Sequence, residues 1–155
     1  MESIKDIYET YTKVFAKGNA VPLTSAIQVS IVDDDSTFTQ MLSDFLNEHG
    51  IHAISFRSGE EFLSNMPADE NQIVIMDYYF DGAQSIDGLD VLKQIKKRSP
   101  NIPVIFLSAN DNLDTALETL RNGALDYFVK TNKTVFAQIL STIIKIDRMK
   151  KSSLN

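Results

Sequence analysis

The 155-residue sequence contains no cysteine and no tryptophan, and it has only two histidines. Without cysteine the chain can form no disulfide, no thiol nucleophile and no zinc–thiolate site. The histidines, His49 and His52, lie at a predicted helix end and in the strand that follows, positions typical of ordinary surface imidazoles. The absences therefore exclude thiol chemistry and zinc–thiolate binding.

Long apolar runs and an excess of basic residues are also missing. No apolar stretch approaches the roughly 18 residues of a membrane span, and the N-terminus lacks the basic-then-apolar pattern of a secretory signal. Fifteen Lys and Arg face 21 Asp and Glu, giving a net charge of -6, which argues against a nucleic-acid surface. The sequence predicts a cytoplasmic, single-domain protein with no direct nucleic-acid or membrane partner.

The first 25 residues form a segment distinct from the rest. Apolar side chains recur there at helical spacing, which predicts an amphipathic helix over about residues 2–17. Gly18 and Asn19 would end this helix, and Pro22 would prevent its return. The apolar positions are Ile4, Ile7, Tyr8, Tyr11, Val14 and Phe15.

From residue 26 onward, strand patterns alternate with helix patterns. Five of each predict a parallel sheet covered on both faces, with right-handed crossovers. We expect this domain to occupy residues 26–148 and the tail, residues 149–155, to be frayed. The predicted strands are 27–32, 51–56, 73–76, 104–107 and 127–129, and the predicted helices begin near 35, 58, 88, 111 and 134, the last running to about 149.

Acidic residues follow two of these strands. Residues 33–35 are all aspartate and follow the first strand, and Asp77 follows the third. Strand ends in such a sheet gather at one edge, where ligands bind. Unit charges about 4 Å apart at an effective dielectric near 20 repel by roughly 4 kcal/mol, so the cluster needs a cation or protons. Oxygen ligands suit magnesium, calcium or manganese. Asp35 is expected to cap the next helix or to be a solvated neighbour, so it is left out of the site.

Polar residues follow four strands in a fixed order: an acidic pair, a lone aspartate, a hydroxyl and a lysine. In this order the sequence resembles the receiver domain of two-component response regulators over about residues 26–148. The resemblance implies a flavodoxin-like, doubly wound sheet of strand order 2-1-3-4-5. The matching stretches are Ile31-Val32-Asp33-Asp34-Asp35, Ile75-Met76-Asp77, Asp87-Gly88-Leu89, Leu107-Ser108-Ala109 and Tyr127-Phe128-Val129-Lys130.

The resemblance implies that Asp77 is the phosphoacceptor, since a carboxylate can attack a phosphoryl group and form an acyl phosphate. It also implies Mg²⁺ as the cofactor, with Mn²⁺ as a substitute. Asp34 would bind the ion directly and Asp33 mainly through water. Asp77 and the backbone carbonyl of Tyr79 would complete the protein ligands.

The phosphate contacts and the switch follow from the same resemblance. Lys130 would pair with one phosphoryl oxygen, and the Ser108 hydroxyl and the Ala109 amide would donate to others. The new charge would draw the Ser108 loop inward and free space for Tyr127 to turn inward. The output surface would be helix 4, strand 5 and helix 5, with phosphate favouring one of two packings.

The implied partners are a histidine kinase or phosphotransfer protein as donor and a downstream protein as target. A homodimer through helix 4–strand 5–helix 5, or through the N-terminal helix, is also compatible with the sequence. No enzymatic activity is expected beyond slow self-phosphorylation from small donors and self-dephosphorylation. The chain would be a stand-alone receiver or a receiver piece of a longer protein.

The loop after Asp77 departs from the family pattern. Asp81 stands where receivers usually have proline, and Asp87-Gly88 arrives about three residues late, so residues 78–87 form a longer polar loop. Thr131 replaces the proline that usually follows the lysine. In the family that peptide is often cis, which costs roughly 2.5–4 kcal/mol without proline.

Two positions bear on the lifetime of the phosphorylated form. Tyr79 is bulky and stands two residues after Asp77, and Asn110 is polar and uncharged, two residues after Ser108. In receivers these positions flank the path of the hydrolytic water. We hypothesise that Tyr79 shields the acyl phosphate.

Two alternative functions belong to other classes. A haloacid-dehalogenase-type phosphatase also uses a strand-end aspartate and Mg²⁺, but it requires a second Asp at position 79, which is Tyr. A degenerate receiver would serve as an interaction module without phosphate. The full set of site residues argues against this alternative, and the unusual loop after Asp77 leaves it open.

Overall fold

The computed structural model describes residues 26–80, 86–109 and 111–153. They form a five-stranded parallel sheet in the order β2-β1-β3-β4-β5, which confirms the predicted fold. The predicted N-terminal helix lies outside the described residues. The strands are β1 Gln28–Val32, β2 Ala53–Phe56, β3 Gln72–Asp77, β4 Val104–Ser108 and β5 Asp126–Val129, and the helices are α1 Ser36–Glu48, α2 Gly59–Ser64, α3 Gly88–Arg98, α4 Leu113–Arg121 and α5 Val135–Ser153.

Several element boundaries differ from the predicted ones. β2 begins at Ala53 rather than at residue 51. β3 and β4 extend through Asp77 and Ser108, because the Tyr78 amide donates to the Leu107 carbonyl and continues the ladder. α5 continues to Ser153, so residues 149–153 are helical and the predicted frayed tail begins too early.

Local side-chain chemistry sets the ends of the helices next to the site. Asp35 caps α1, since its carboxylate accepts from the Phe38 amide at 3.1 Å, and this confirms its predicted capping role. Gly50 ends α1 with a positive φ of 76°, where the amides of Gly50 and Ile51 donate to the carbonyls of Asn47 and Leu46. The chain then turns directly into the approach to β2.

Each face of the sheet has its own core. Successive side chains of a strand point to opposite faces, so Ile31 joins the cluster under α1 and α5, while Val32 joins the cluster under α2 and α3. Every residue of β3 is buried, as predicted for a strand covered on both faces. Within the described ranges, no helix combines the length and apolarity needed to cross a bilayer.

Helix α4 buries small polar residues and exposes apolar ones. Thr115 and Thr119 are buried, while three leucines along the helix are exposed by 39–70%. Exposed apolar side chains at helical spacing form a surface that is suited to binding another protein. The exposed leucines are Leu113, Leu117 and Leu120.

Gly88 allows α3 to approach the end of β3 closely. A Cβ at this position would lie 2.7 Å from Phe106 Cε1, 2.9 Å from the Asp77 carbonyl oxygen and 3.0 Å from Tyr78 Cα. Two of these three neighbours are backbone atoms and cannot move aside. The absence of a side chain at position 88 thus lets α3 begin directly against the strand end that carries Asp77.

Candidate functional site

Four strand ends place the predicted site residues at one edge of the sheet. Val32 is in register with Met76, Asp77 with Leu107 and Ser108 with Val129. Asp33, Asp77, Ser108 and Lys130 therefore stand at or just beyond the ends of adjacent strands. The Lys130 amide donates to the Ser108 carbonyl at 2.8 Å and fixes the chain as it leaves β5.

Three carboxylates meet at this edge. Asp33, Asp34 and Asp77 each offer an oxygen, and these oxygens all lie within 4.8 Å of one another. Asp33 and Asp77 are buried, with 3% and 7% of their surfaces exposed. A cluster of carboxylate oxygens at this spacing fits a hard divalent cation such as Mg²⁺.

Lys130 joins two of these carboxylates. Its Nζ lies 2.6 Å from Asp33 Oδ2 and 3.3 Å from Asp77 Oδ2. Burial by itself would lower the pKa of Lys130, but the hydrogen bond to Asp33 and the charges of Asp77 and Asp33 raise it above its ordinary value. Lys130 is therefore a fixed positive charge beside Asp77.

The pKa of Asp77 rises to about 7, first because burial disfavours its charge and second because Asp33 is close. Lys130 and the backbone N–H of Tyr79, which donates to the carboxylate, oppose this rise. A carboxyl group with such a pKa is only about half ionised in neutral solution, and a bound cation would favour its charged form. The raised pKa of Asp77 and the three carboxylate ligands therefore both favour a bound cation.

Ser108 and Tyr127 meet beside the carboxylates. Ser108 is fully buried, and its hydroxyl forms a hydrogen bond with the phenol of Tyr127. Burial raises the pKa of Tyr127, and the hydrogen bond with Ser108 opposes this rise. Tyr127 is half-buried and packs against the cluster under α2 and α3, so the predicted switch residue is in contact with the predicted phosphate ligand.

Tyr79 lies at the mouth of the site. The residue is 53% exposed, and its ring lies edge-on to that of Tyr78, with centroids 4.6 Å apart. Ala109 is exposed beside Ser108, and Asn110 lies outside the described residues. The Tyr79 backbone reaches the site through its N–H, which donates to the Asp77 carboxylate, and the metal-binding role of its carbonyl stays a prediction.

The longer loop after Asp77 is closed at its base. The Gly88 amide donates to the Tyr78 carbonyl at 2.9 Å, and the Ile86 amide donates to Glu60 Oε1 at 2.8 Å. Residues 81–85 lie outside the described residues. No cis peptide bond occurs in the described ranges, so the Lys130–Thr131 bond is trans.

Phe38 also contacts the site, although it is not among the site residues that the sequence predicted. The Lys130 Nζ lies 4.8 Å from the centroid of its ring. The available signal was its place in the first turn after the three aspartates, which brings the ring close to the strand ends. Helical periodicity by itself could not distinguish this contact from ordinary packing.

Comparisons with known proteins agree with this fold and indicate its family. The family profile described as response regulator receiver domain matches residues 29–143. The DNA-binding transcriptional regulator NtrC of Klebsiella pneumoniae is 38% identical over 100 residues, which cover 64% of this chain and 21% of that protein. The nitrogen assimilation regulatory protein NtrX of Azorhizobium caulinodans is 29% identical over 105 residues, which cover 68% of this chain and 23% of that protein.

Solved structures agree as well. A response regulator receiver domain protein from Clostridium thermocellum matches with a TM-score of 0.67 and 28% identity, covering 83% of this chain and 99% of that one. The chain spans about a fifth of the length of the curated relatives it matches.

Proposed function

Because the chain belongs to the response regulator receiver domain family, we propose that it is a phosphoacceptor switch in two-component signalling. Asp77 accepts a phosphoryl group, and the donor is a phosphohistidine of a histidine kinase or phosphotransfer protein. One observation carries this proposal: Lys130 Nζ lies within 3.3 Å of both Asp33 and Asp77, in a cluster of three carboxylates. A cation fixed beside an acceptor carboxylate is the arrangement that phosphoryl transfer needs.

The transfer itself requires little covalent chemistry from the protein. A carboxylate oxygen of Asp77 bonds to phosphorus, and the bond between phosphorus and the histidine nitrogen breaks. Its electron pair stays on the imidazole, which then takes a proton. Lys130, already a fixed positive charge, pairs with a phosphoryl oxygen, and the Ser108 hydroxyl and the Ala109 amide donate to the others.

Asp33, Asp34 and Asp77 would hold Mg²⁺, with the backbone carbonyl of Tyr79 as a further ligand. Mn²⁺, which also prefers oxygen ligands, is an alternative. When bound, the ion neutralises negative charge on the carboxylates and on the incoming phosphoryl group. The spacing of the carboxylate oxygens and the raised pKa of Asp77 support this assignment.

The output surface comprises α4, β5 and α5. Phosphorylation pulls Ser108 toward the new acceptor oxygens, and Tyr127, which shares a hydrogen bond with Ser108, responds on the adjacent strand. The exposed leucines of α4 supply apolar contact area for a downstream protein or for a second copy of this chain. The N-terminal segment is a second candidate for dimerisation.

The proposed function also implies a cellular location and a class of protein. We place this domain in the cytoplasm, and its net charge of -6 gives it no direct nucleic-acid contact. It is a signalling module rather than an enzyme, apart from slow self-phosphorylation and self-dephosphorylation. A phosphatase of the haloacid dehalogenase type is not favoured, since position 79 carries an exposed tyrosine instead of a second aspartate.

Acetyl phosphate with Mg²⁺ tests this function directly. Intact-mass spectrometry is expected to show one added phosphoryl group on the native chain and none on Asp77→Asn. Asp35→Asn is the matched control, because it alters the same aspartate triplet while asparagine still caps α1, and it is expected to be phosphorylated normally. Phosphate release without a phosphorylated chain would indicate a phosphatase, and no reaction would indicate an interaction module that does not use phosphate.

Tyr79 and Asn110 are proposed to set the lifetime of the phosphorylated form. Truncation of the exposed Tyr79 ring opens a path for water to the acyl phosphate. We expect Tyr79→Ala to lose its phosphoryl group several-fold faster than the native chain when donor is removed, as followed by intact mass. Leu125→Ala, which truncates an exposed side chain before β5 at the opposite edge of the sheet, should keep the native lifetime. Equal decay of Tyr79→Ala and native protein would contradict the hypothesis.

A further inference from the structure

The ammonium group of Lys130 has an aromatic neighbour in addition to its two aspartates. Its Nζ lies over the ring of Phe38, 4.8 Å from the ring centroid. This distance is inside the roughly 6 Å limit for attraction between a cation and an aromatic face. The cation therefore has polar neighbours in Asp33 and Asp77 and an apolar one in Phe38.

Packing on two helices holds the Phe38 ring in place. The ring lies edge-on to Phe136 of α5, with centroids 5.7 Å apart, and Phe136 lies 5.3 Å from Phe45 of α1. The Phe38 amide donates to the capping carboxylate of Asp35. A ring anchored in this way is a fixed surface for the flexible side chain of Lys130.

The three neighbours of Lys130 differ in what happens to them during phosphoryl transfer. Asp77 becomes an acyl phosphate, and Asp33 would contribute its charge to a bound metal ion. The Phe38 ring has no group that reacts, titrates or binds the ion, so its attraction for the ammonium persists throughout. A lysine side chain has many rotamers, and a permanent neighbour limits how far it withdraws from the site.

We propose that Phe38 is a positioning residue for phosphoryl transfer, and that its ring holds the Lys130 ammonium where it meets the incoming phosphoryl group. This inference rests on the proposed function. A purely structural Phe38 would affect the folded fraction of the protein, whereas a positioning Phe38 affects the rate of transfer through Lys130. The two roles are separable by a double-mutant cycle.

The experiment measures the rate of phosphorylation of the full chain by acetyl phosphate and Mg²⁺, with circular dichroism confirming equal folding. We expect Phe38→Leu to slow the rate about threefold to tenfold. Phe38→Tyr, which keeps the aromatic face, is expected to stay within about twofold of native. Phe45→Leu is the matched control, because it removes a half-buried ring of the same helix that packs on Phe136 and lies seven residues from Phe38, and we expect it to keep the native rate.

The cycle is completed in a Lys130→Met background, where Phe38→Leu is expected to have no further effect on the rate. If Phe38→Leu does not fold, Phe38→Met replaces it with the same expectations. A native rate for Phe38→Leu, equal slowing by Phe45→Leu, or an undiminished effect without Lys130 would each overturn the proposal. Failure of the native chain to gain a phosphoryl group would instead refute the proposed function.

Discussion

Replacing Lys130 with methionine is expected to lower the free energy of unfolding by about 3 kcal/mol in metal-free buffer near pH 8. Methionine keeps the apolar stem but removes the charge that lies 2.6 Å from Asp33 and 3.3 Å from Asp77. Two buried carboxylates then face each other without a cation. Breaking a buried pair costs more than forming it gains, because the remaining charges stay desolvated.

The same substitution is expected to slow phosphorylation by acetyl phosphate about 100-fold, since it removes a fixed positive charge from the transferring group. Urea unfolding measures the change in stability, and intact-mass spectrometry measures the rate of phosphorylation. Mg²⁺ should restore part of the lost stability, because the ion neutralises the same carboxylates. Lys133→Met is the matched control: Lys133 is exposed and three residues away, and its loss should leave stability and rate unchanged. Native-like stability of Lys130→Met without metal would contradict the buried pair.

Asp77→Asn is expected to be more stable than the native protein by about 1–2 kcal/mol near pH 8 without metal, after allowance for solvent screening. Burial and Asp33 raise the pKa of Asp77 to about 7, so the folded state holds this proton more tightly than the unfolded chain does. Native stability therefore falls as pH rises from the ordinary carboxyl range through about 7. Asparagine never ionises, so the variant avoids this loss, while Lys130 keeps its partner Asp33.

Urea unfolding in the presence of a chelator at several pH values tests this expectation. The difference between variant and native protein should nearly vanish below the ordinary carboxyl pKa of 3.8, where Asp77 is protonated in both the folded and the unfolded chain. It should grow as pH rises from there to about 7 and then level off, because Asp77 is ionised in both states at higher pH. Mg²⁺ should reduce it at the higher pH by stabilising the native carboxylate. Asp35→Asn, at an exposed helix cap, should show no such growth. A difference that is independent of pH would mean that Asp77 ionises at its ordinary pKa in the fold.

The parts of the fold that could be predicted from the sequence are those set by local side-chain chemistry. The all-buried strand β3, the start of α1 at its Asp35 cap and the start of α2 near residue 58 are set by side chains within a few residues of each other. The start of β2 and the end of α5 were predicted wrongly. Pairing with neighbouring strands decides where a strand starts, and tertiary packing decides how far a helix extends. Ile51 looks like the start of a strand, but its amide is used to close α1.

The candidate site also combines features that the sequence predicts with contacts that only tertiary packing creates. The order of polar residues after apolar strands indicated that Asp33, Asp34, Asp77, Ser108 and Lys130 belong together, since parallel strands end at one edge. No periodicity could show that the Lys130 ammonium lies between two aspartates and over Phe38, or that Tyr127 shares a hydrogen bond with Ser108. These contacts join residues that are far apart along the chain.

The sequence by itself determined the fold class, the chemical type of the site and the helix caps, because hydrophobic period, carboxylate placement and capping act over short distances. Only the tertiary structure decided the charge balance around Asp77 and the partners of Lys130. Burial and distance between strands set the pKa of a carboxyl group, and neither is defined until the sheet and the helices on both of its faces have packed.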